Sequence, residues 1–231
     1  MGAVARFTMR AEVVRHLEED IVFGVLHAKE KLIEESLAAR LQQKRHVIRD
    51  ALEDLEAAGL VTRIPNRGAF VRELTATEVT EIYEVREILE VAAAMRTPLP
   101  APKAVMAELR AIQKKHSAAI AAGNVREVFY LNIEFHQLQF SICNNSKLAA
   151  SIAECAKQAH LIRAVKYAEP GHLKKVEKDH QAIIAALSGN DREALVEVVR
   201  SHLPDSRDAY IRAYERRYGS SGAGLAGARP R

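Results

Sequence analysis

Three of the chain's nine histidines, His136, His180 and His202, fall within or at the end of three different helical patterns, beside apolar residues such as Phe135, Ile183 and Leu203. Neutral imidazole is a common ligand for divalent transition metals. If a bundle brings the three rings together, they can hold such a metal, and Asn132, one turn before His136 on the same helix face, can add an amide oxygen. For any one histidine the plainer reading is a satisfied or half-exposed polar residue, because spacing alone does not establish convergence. A second chemistry-bearing set lies near the amino terminus. Lys44, Arg45, His46 and Arg49 open a helical pattern, with Arg45 and Arg49 four residues apart and so on one face. Peptide dipoles at a helix start favour phosphate, and an Arg fork pairs bidentately with guanine O6 and N7, so the set suits nucleic acid.

The elements that must position these groups follow from the hydrophobic pattern. Residues 37–71 read as a helix, a tight turn, a second helix beginning near Lys44, and two short strands joined by Pro65-Asn66-Arg67-Gly68. Ile48, Leu52 and Leu55 form the inward stripe of the second helix, packing against Leu37 and Leu41, which leaves Arg45 and Arg49 outside. Pro65 supplies a fixed φ and Gly68 a permissive backbone, and Arg63, Arg67 and Arg72 then stand on the strand pair. A helical hairpin with solvated arginines is the bland alternative; the ordered succession of helix, turn, basic helix and basic hairpin argues against it.

Upstream, residues 1–10 are expected to be flexible, and Val14, Leu17 and Ile21 mark a first helix from Ala11 to about Val25. Together these features define a winged helix-turn-helix domain over residues 11–73. Residues 74–77 read as a linker, with Thr77 capping a helix from Glu78 to Arg96 whose buried stripe is Ile82, Val85, Leu89 and Ala92. Pro98, Pro100 and Pro102 end it. Five further patterns, Lys103–Ala122, Val125–Cys143, Leu148–Tyr167, His172–Leu187 and Arg192–Tyr218, the last broken near Pro204, complete an all-α bundle over 78–218. Asn145 suits the cap of the third of these. Residues 219–231, rich in Gly, Ala and Ser, are expected to be a disordered tail. The fold class is therefore mainly α, a winged domain followed by an all-α helical bundle.

At residues 37–71 the chain resembles the GntR family of bacterial transcription regulators. Leu37-Ala38-Ala39-Arg40-Leu41, Arg45, Arg49, Ala51-Leu52, Leu55, Gly59-Leu60-Val61 and Arg67-Gly68-Ala69-Phe70-Val71 stand where that family's winged-helix signature has them. The resemblance implies that Arg45 and Arg49 contact bases or phosphates and that Gly68 brings the wing tip close to the minor groove. Gln42-Gln43-Lys44 replaces the family's usual Gly-Val-Ser, and His46-Val47 its Thr-Pro, which bears on the operator sequence read. Asn132 to His136, Asp179 to Leu187 and Arg200-Ser201-His202 look like the FCD effector domain of the FadR subfamily. That likeness implies a zinc, nickel or manganese ion held by one Asp and three His, with a small carboxylate effector at the metal. Here Asn132 stands in place of the Asp. Arg86 matches a position where relatives place an effector-cavity Arg; an ion pair with Glu90, four residues on, is the competing reading.

Composition fits this picture. Hydrophobic residues make up 48% of the 231 and aromatics 5%, with no Trp, as suits helices packed by Leu, Ile, Val and Ala. The formal net charge is only +4, but seven of the basic residues against four acidic ones fall in 38–72, so the excess sits on the turn, helix and wing. Cys143 and Cys155 lie in apolar patterns without metal spacing and are expected to be reduced. No segment has transmembrane length and no secretory leader is evident, which suggests a soluble, cytoplasmic chain. The expected function is a ligand-responsive regulator binding palindromic operator DNA as a homodimer. A metal-dependent hydrolase at His136, His180 and His202 competes with it, but no HExxH-type acid and base spacing is present. A DNA-binding protein without metal or effector is the third reading.

Overall fold

Helix α1 (Ala3–Val22) lays Val13, Leu17 and Ile21 against helix α3 (Arg45–Ala57), and this packing begins the computed structural model, which describes residues 3–163 and 171–219. The helix starts eight residues before the expected Ala11, and Arg10, in the added part, forms an ion pair with Asp54. Strand β1 (Lys31–Leu32), helix α2 (Glu34–Arg40), helix α3 (Arg45–Ala57), and strands β2 (Val61–Ile64) and β3 (Gly68–Val71) follow. Ile48, Leu52 and Leu55 are at most 1% exposed, so the expected inward stripe of α3 is the buried one. The sheet is antiparallel in order β1-β3-β2, with Val61 opposite Val71 and Lys31 opposite Phe70. Strand β1 was not expected; two residues are too few to show an alternating pattern.

Among the described residues, 3–75 and 157–163 form one unit and 76–156 with 171–219 a second. Leu74 at the expected linker is fully buried, and Thr77 lies inside helix α4 (Ala76–Arg96) rather than at its cap. The buried positions of α4 are also displaced from the expected stripe: Val79, Tyr83, Arg86, Glu90 and Ala93 face inward, while Val85 is 48% exposed. The expectation failed because α4 is apolar on more than one face, and a buried Arg–Glu pair defines its inner side.

Helices α5 (Lys103–Ala121), α6 (Val125–Ser141), α7 (Ser146–Arg163), α8 (His172–Ser188), α9 (Arg192–His202) and α10 (Pro204–Tyr218) follow close to their expected limits, all within the second unit except the end of α7 from Lys157, which belongs to the first. The expected end of α7 at Tyr167 and most of the disordered-tail expectation lie outside the described residues. Phe135 and Leu131 of α6, Leu109 and Ile112 of α5, Ile183 and Leu187 of α8 and Val199 of α9 share one core. Each such side chain contributes about 2 kcal/mol by leaving water. Asn124 accepts from the Glu127 amide, Asn145 from Leu148 and Asp191 from Ala194, fixing the starts of α6, α7 and α9. Pro204 at the first position of α10 cannot donate to a preceding carbonyl, and α9 accordingly ends at His202.

Candidate nucleic-acid interface and metal centre

In the first unit, Lys44, Arg45 and Arg49 are exposed at the start of α3 and His46 is half-buried. Lys44 occupies the N-cap without a side-chain cap bond, leaving the helix start to a solvent-borne acceptor such as phosphate. Arg45 meets Glu35 of α2 at 2.7 Å, but their side chains are 63% and 77% exposed. A pair in that setting is worth less than about 1 kcal/mol and yields readily to a polyanion. The wing turn closes through a bond from the Arg67 amide to the Ile64 carbonyl at 3.0 Å, with Asn66 at φ 61° and Gly68 at φ 97°. At Gly68 that backbone angle is the constraint, since an added Cβ would touch only Lys31 Cε at 3.6 Å. Arg67 and Gly68 are exposed at the tip. Arg63, also exposed, is drawn back to Glu53 of α3 at 3.0 Å. Arg72, expected on the wing, is half-buried and donates to the Gly59 carbonyl at 3.5 Å.

In the second unit the three histidines converge, with one ligand atom from each of His136, His180 and His202 lying within 4.8 Å of the others. Three helices deliver them: α6, α8 and the last residue of α9. Oxygen acceptors hold the outer ring nitrogens. Nδ1 of His136 faces Gln139 Oε1 at 2.9 Å, Nδ1 of His180 faces Gln113 Oε1 at 2.8 Å, and Nδ1 of His202 faces Asp179 Oδ2 at 3.1 Å. When each Nδ1–H donates to its oxygen, each neutral ring carries its lone pair on Nε2. Nε2 of His136 and Nε2 of His202 then face one another at 3.2 Å as two acceptors, an arrangement that a cation between them relieves. With metal–nitrogen bonds of about 2.0–2.1 Å, that separation subtends an angle of roughly 100°, which suits a divalent transition metal.

Asn132 is 7% exposed on α6, one turn before His136. Neither it nor the three imidazoles carries formal charge, so the donor set fits a metal but does not neutralise one. Asp179, behind His202, brings the carboxylate of the outer shell, and Lys175 sits 3.6 Å from it. Asp179 adjoins His180 in sequence yet serves His202, a role that sequence spacing did not reveal. Gln113 and Gln139 were missed as well; an i, i+3 relation joins Gln139 to His136, but nothing local joins Gln113 to His180.

The imidazole of His180 stacks on Phe135 at 4.0 Å, and besides the two other cluster histidines it has His116 of α5 beside it, with ring centroids 4.9 Å apart. His116 is fully buried and neither ring nitrogen has a hydrogen-bond partner. Burial pushes its pKa from the ordinary 6.5 down to about 4, against an opposing pull from the Glu177 carboxylate. Between those values the unfolded chain binds a proton that the folded chain does not. This contribution to stability is therefore complete above pH 6.5 and lost as pH falls towards 4, with a ceiling of roughly 3 kcal/mol. For metal-free protein, urea unfolding of His116→Phe should show a shallower loss of stability over that window than the parent. Parallel pH profiles would contradict the assignment.

Arg86 is buried and bonded to Glu90 at 3.0 Å through Nε and 2.8 Å through an Nη, with the Tyr83 ring 4.9 Å from its guanidinium carbon. Burial alone would depress its pKa; Glu90 and Tyr83 outweigh that and raise it. Cys143 and Cys155 are free thiols, and burial pushes Cys155 upward, away from a reactive thiolate. No helix among the described residues is long and apolar enough to cross a membrane.

Comparison with known proteins agrees with both units. Residues 9–71 match the model for bacterial regulatory proteins of the gntR family, and residues 81–205 match the FCD domain. The HTH-type transcriptional repressor RspR of Escherichia coli K12 is 25% identical over 197 residues, covering 84% of this chain and 85% of that protein. The Nta operon transcriptional regulator of Aminobacter aminovorans is 27% identical over 184 residues, covering 79% and 85%. Among solved structures, a transcriptional regulator from Rhodococcus sp. RHA1 superposes with a TM-score of 0.70 at 22% identity, covering 90% of this chain and 99% of that one. Escherichia coli McbR/YncC gives 0.69 at 21% identity, covering 94% and 100%. With a family match to each unit and relatives that run nearly the chain's full length, the protein belongs to the GntR family of bacterial transcription regulators and carries an FCD effector-binding domain.

Proposed function

We propose that the chain binds a palindromic operator as a homodimer, with Lys44, Arg45, His46, Arg49, Arg63, Arg67 and Gly68 at the DNA. A small organic acid is sensed at a zinc, nickel or manganese ion held by Asn132, His136, His180 and His202. The observation that carries the sensing half is the convergence of three imidazoles whose outer nitrogens are already engaged, leaving inward lone pairs for a metal. Because those ligands leave the metal its full charge, an anionic effector supplies the missing negative charge and couples the two binding events. Arg86 is a second anchor: an entering carboxylate competes with Glu90 for its fork. The name of RspR supports repression as the mode of control. Calorimetric titration of acetate, malate and succinate into metal-loaded and chelated protein tests the coupling. Equal affinity in both states would exclude it.

Self-association is supported by the outer side of α4. Val85, Ile88 and Met95 are 48%, 69% and 57% exposed, and with Ala92 they repeat at three- and four-residue spacing, the seam of paired helices. Two copies on one site also match the two half-sites that a winged domain needs for affinity. Ile88→Glu should shift the chain to monomer in analytical ultracentrifugation and weaken operator binding at least tenfold while leaving its helical content intact. An unchanged sedimentation coefficient would remove α4 from the interface.

A further inference from the structure

The exposed side of α3 changes sign along its length. Arg45 and Arg49 open it, and Glu53 and Glu56 continue it at helical spacing. Those two acids serve the wing: Glu53 meets the Arg63 guanidinium at 3.0 Å, and Glu56 accepts from the Arg63 amide at 3.1 Å. Arg45 takes its carboxylate from a different helix. Glu35, on the first turn of α2, lies 2.7 Å from the Arg45 guanidinium, and at 77% exposed it stands in solvent beside the start of α3.

Any duplex that meets Arg45 meets Glu35 as well, because the two side chains are in contact. Duplex DNA carries about one negative charge per 1.7 Å of its axis, so a carboxylate brought against it weakens binding unless it finds a donor. The major groove offers two, the N4 amino group of cytosine and the N6 amino group of adenine. Adenine sets its N7 acceptor beside the amino group, which repels a carboxylate; the cytosine edge presents the donor alone. Cytosine N4 also lies next to guanine O6 within a G·C pair. Arg45 on guanine and Glu35 on cytosine therefore keep their bond to each other. We propose that Glu35 is a specificity-determining residue, and that the Arg45–Glu35 couple reads a G·C pair, the arginine on guanine and the carboxylate on the cytosine N4 of that pair or the next. The inference rests on α3 being the reading helix, as proposed above, and adds a residue that lies outside it.

Selection from a random-sequence duplex library tests this, with the full-length parent, Glu35→Gln, Glu35→Ala and Arg45→Ala run side by side and the selected duplexes titrated by fluorescence anisotropy. In the parent, replacing one cytosine of the selected sequence should cost about tenfold in affinity, the size of a good base contact. Glu35→Gln should move the preference at that position to adenine, which an amide pairs through N6 and N7. In Glu35→Ala the position should become indifferent, with the rest of the sequence unchanged. Arg45→Ala should lose the guanine partner. The same selected sequence from the parent and both Glu35 variants overturns the proposal. So does a uniform rise in affinity for all duplexes in those variants, which would make Glu35 a general repulsive charge rather than a reader. Either result leaves α3 as the reading helix provided that Arg45→Ala changes the selection. If Arg45→Ala also selects the parental sequence, or the parent selects none, the reading helix and the Glu35 contact fall together.

Discussion

Replacing Arg45 and Arg49 together by alanine is expected to lower operator affinity by at least a hundredfold while the chain stays folded. Both arginines are exposed on the first turns of α3, where the inward stripe of Ile48, Leu52 and Leu55 holds them away from the core. A well-placed Arg–guanine pair is worth about 1–3 kcal/mol of discrimination, and a phosphate contact adds a salt-dependent term. The effect doubles when two protomers each lose both contacts. Against it stands only the exposed ion pair of Arg45 with Glu35, so unfolding should move by no more than roughly 0.5 kcal/mol. Fluorescence anisotropy on the upstream region of the protein's own gene, run at two salt concentrations, measures this. Undiminished affinity, with an unchanged salt slope, would dismiss α3 as the reading helix.

The second large effect concerns metal. Adding zinc or nickel to chelated protein should raise its melting temperature, because a ligand that binds only the folded state stabilises it by about 4 kcal/mol when present at a thousand times its Kd. For a chain of this size that corresponds to a rise of roughly 10 °C. His202→Ala removes one of the two Nε2 atoms that face each other at 3.2 Å and should abolish the rise. Asn132→Asp restores a carboxylate beside three neutral imidazoles and should enlarge it, with metal retained through a chelation that strips the parent. Melting curves identical in all three proteins, with and without metal, would dispose of the metal centre.

The two predictions draw on different levels of information. The exposed basic set was legible because its geometry is local: Arg45 and Arg49 share a face by helical spacing, and the wing turn declares itself through Pro65, Asn66 and Gly68. Arg72 escaped that logic, since its half-buried guanidinium answers to the Gly59 carbonyl, a partner thirteen residues away. The three-histidine cluster was legible in part. Its histidines could be named, but their convergence depends on how α6, α8 and α9 pack around Phe135 and Ile183, which no spacing encodes.

Misplacing the buried face of α4 has a similar cause. Periodicity ranks faces by apolarity, whereas this fold buries Arg86 and Glu90 together, each removing the other's cost, and leaves Ile88 outside. Residue types and intervals determined most of the helices, the Asn145 cap, the Pro204 break and the chemistry available at each position, because those depend on interactions within a few residues along one chain segment. Tertiary structure alone decided which oxygens orient the site histidines and that His116 lies against His180 with both nitrogens unsatisfied. Such outcomes arise between helices distant in sequence, where packing rather than propensity selects the neighbour.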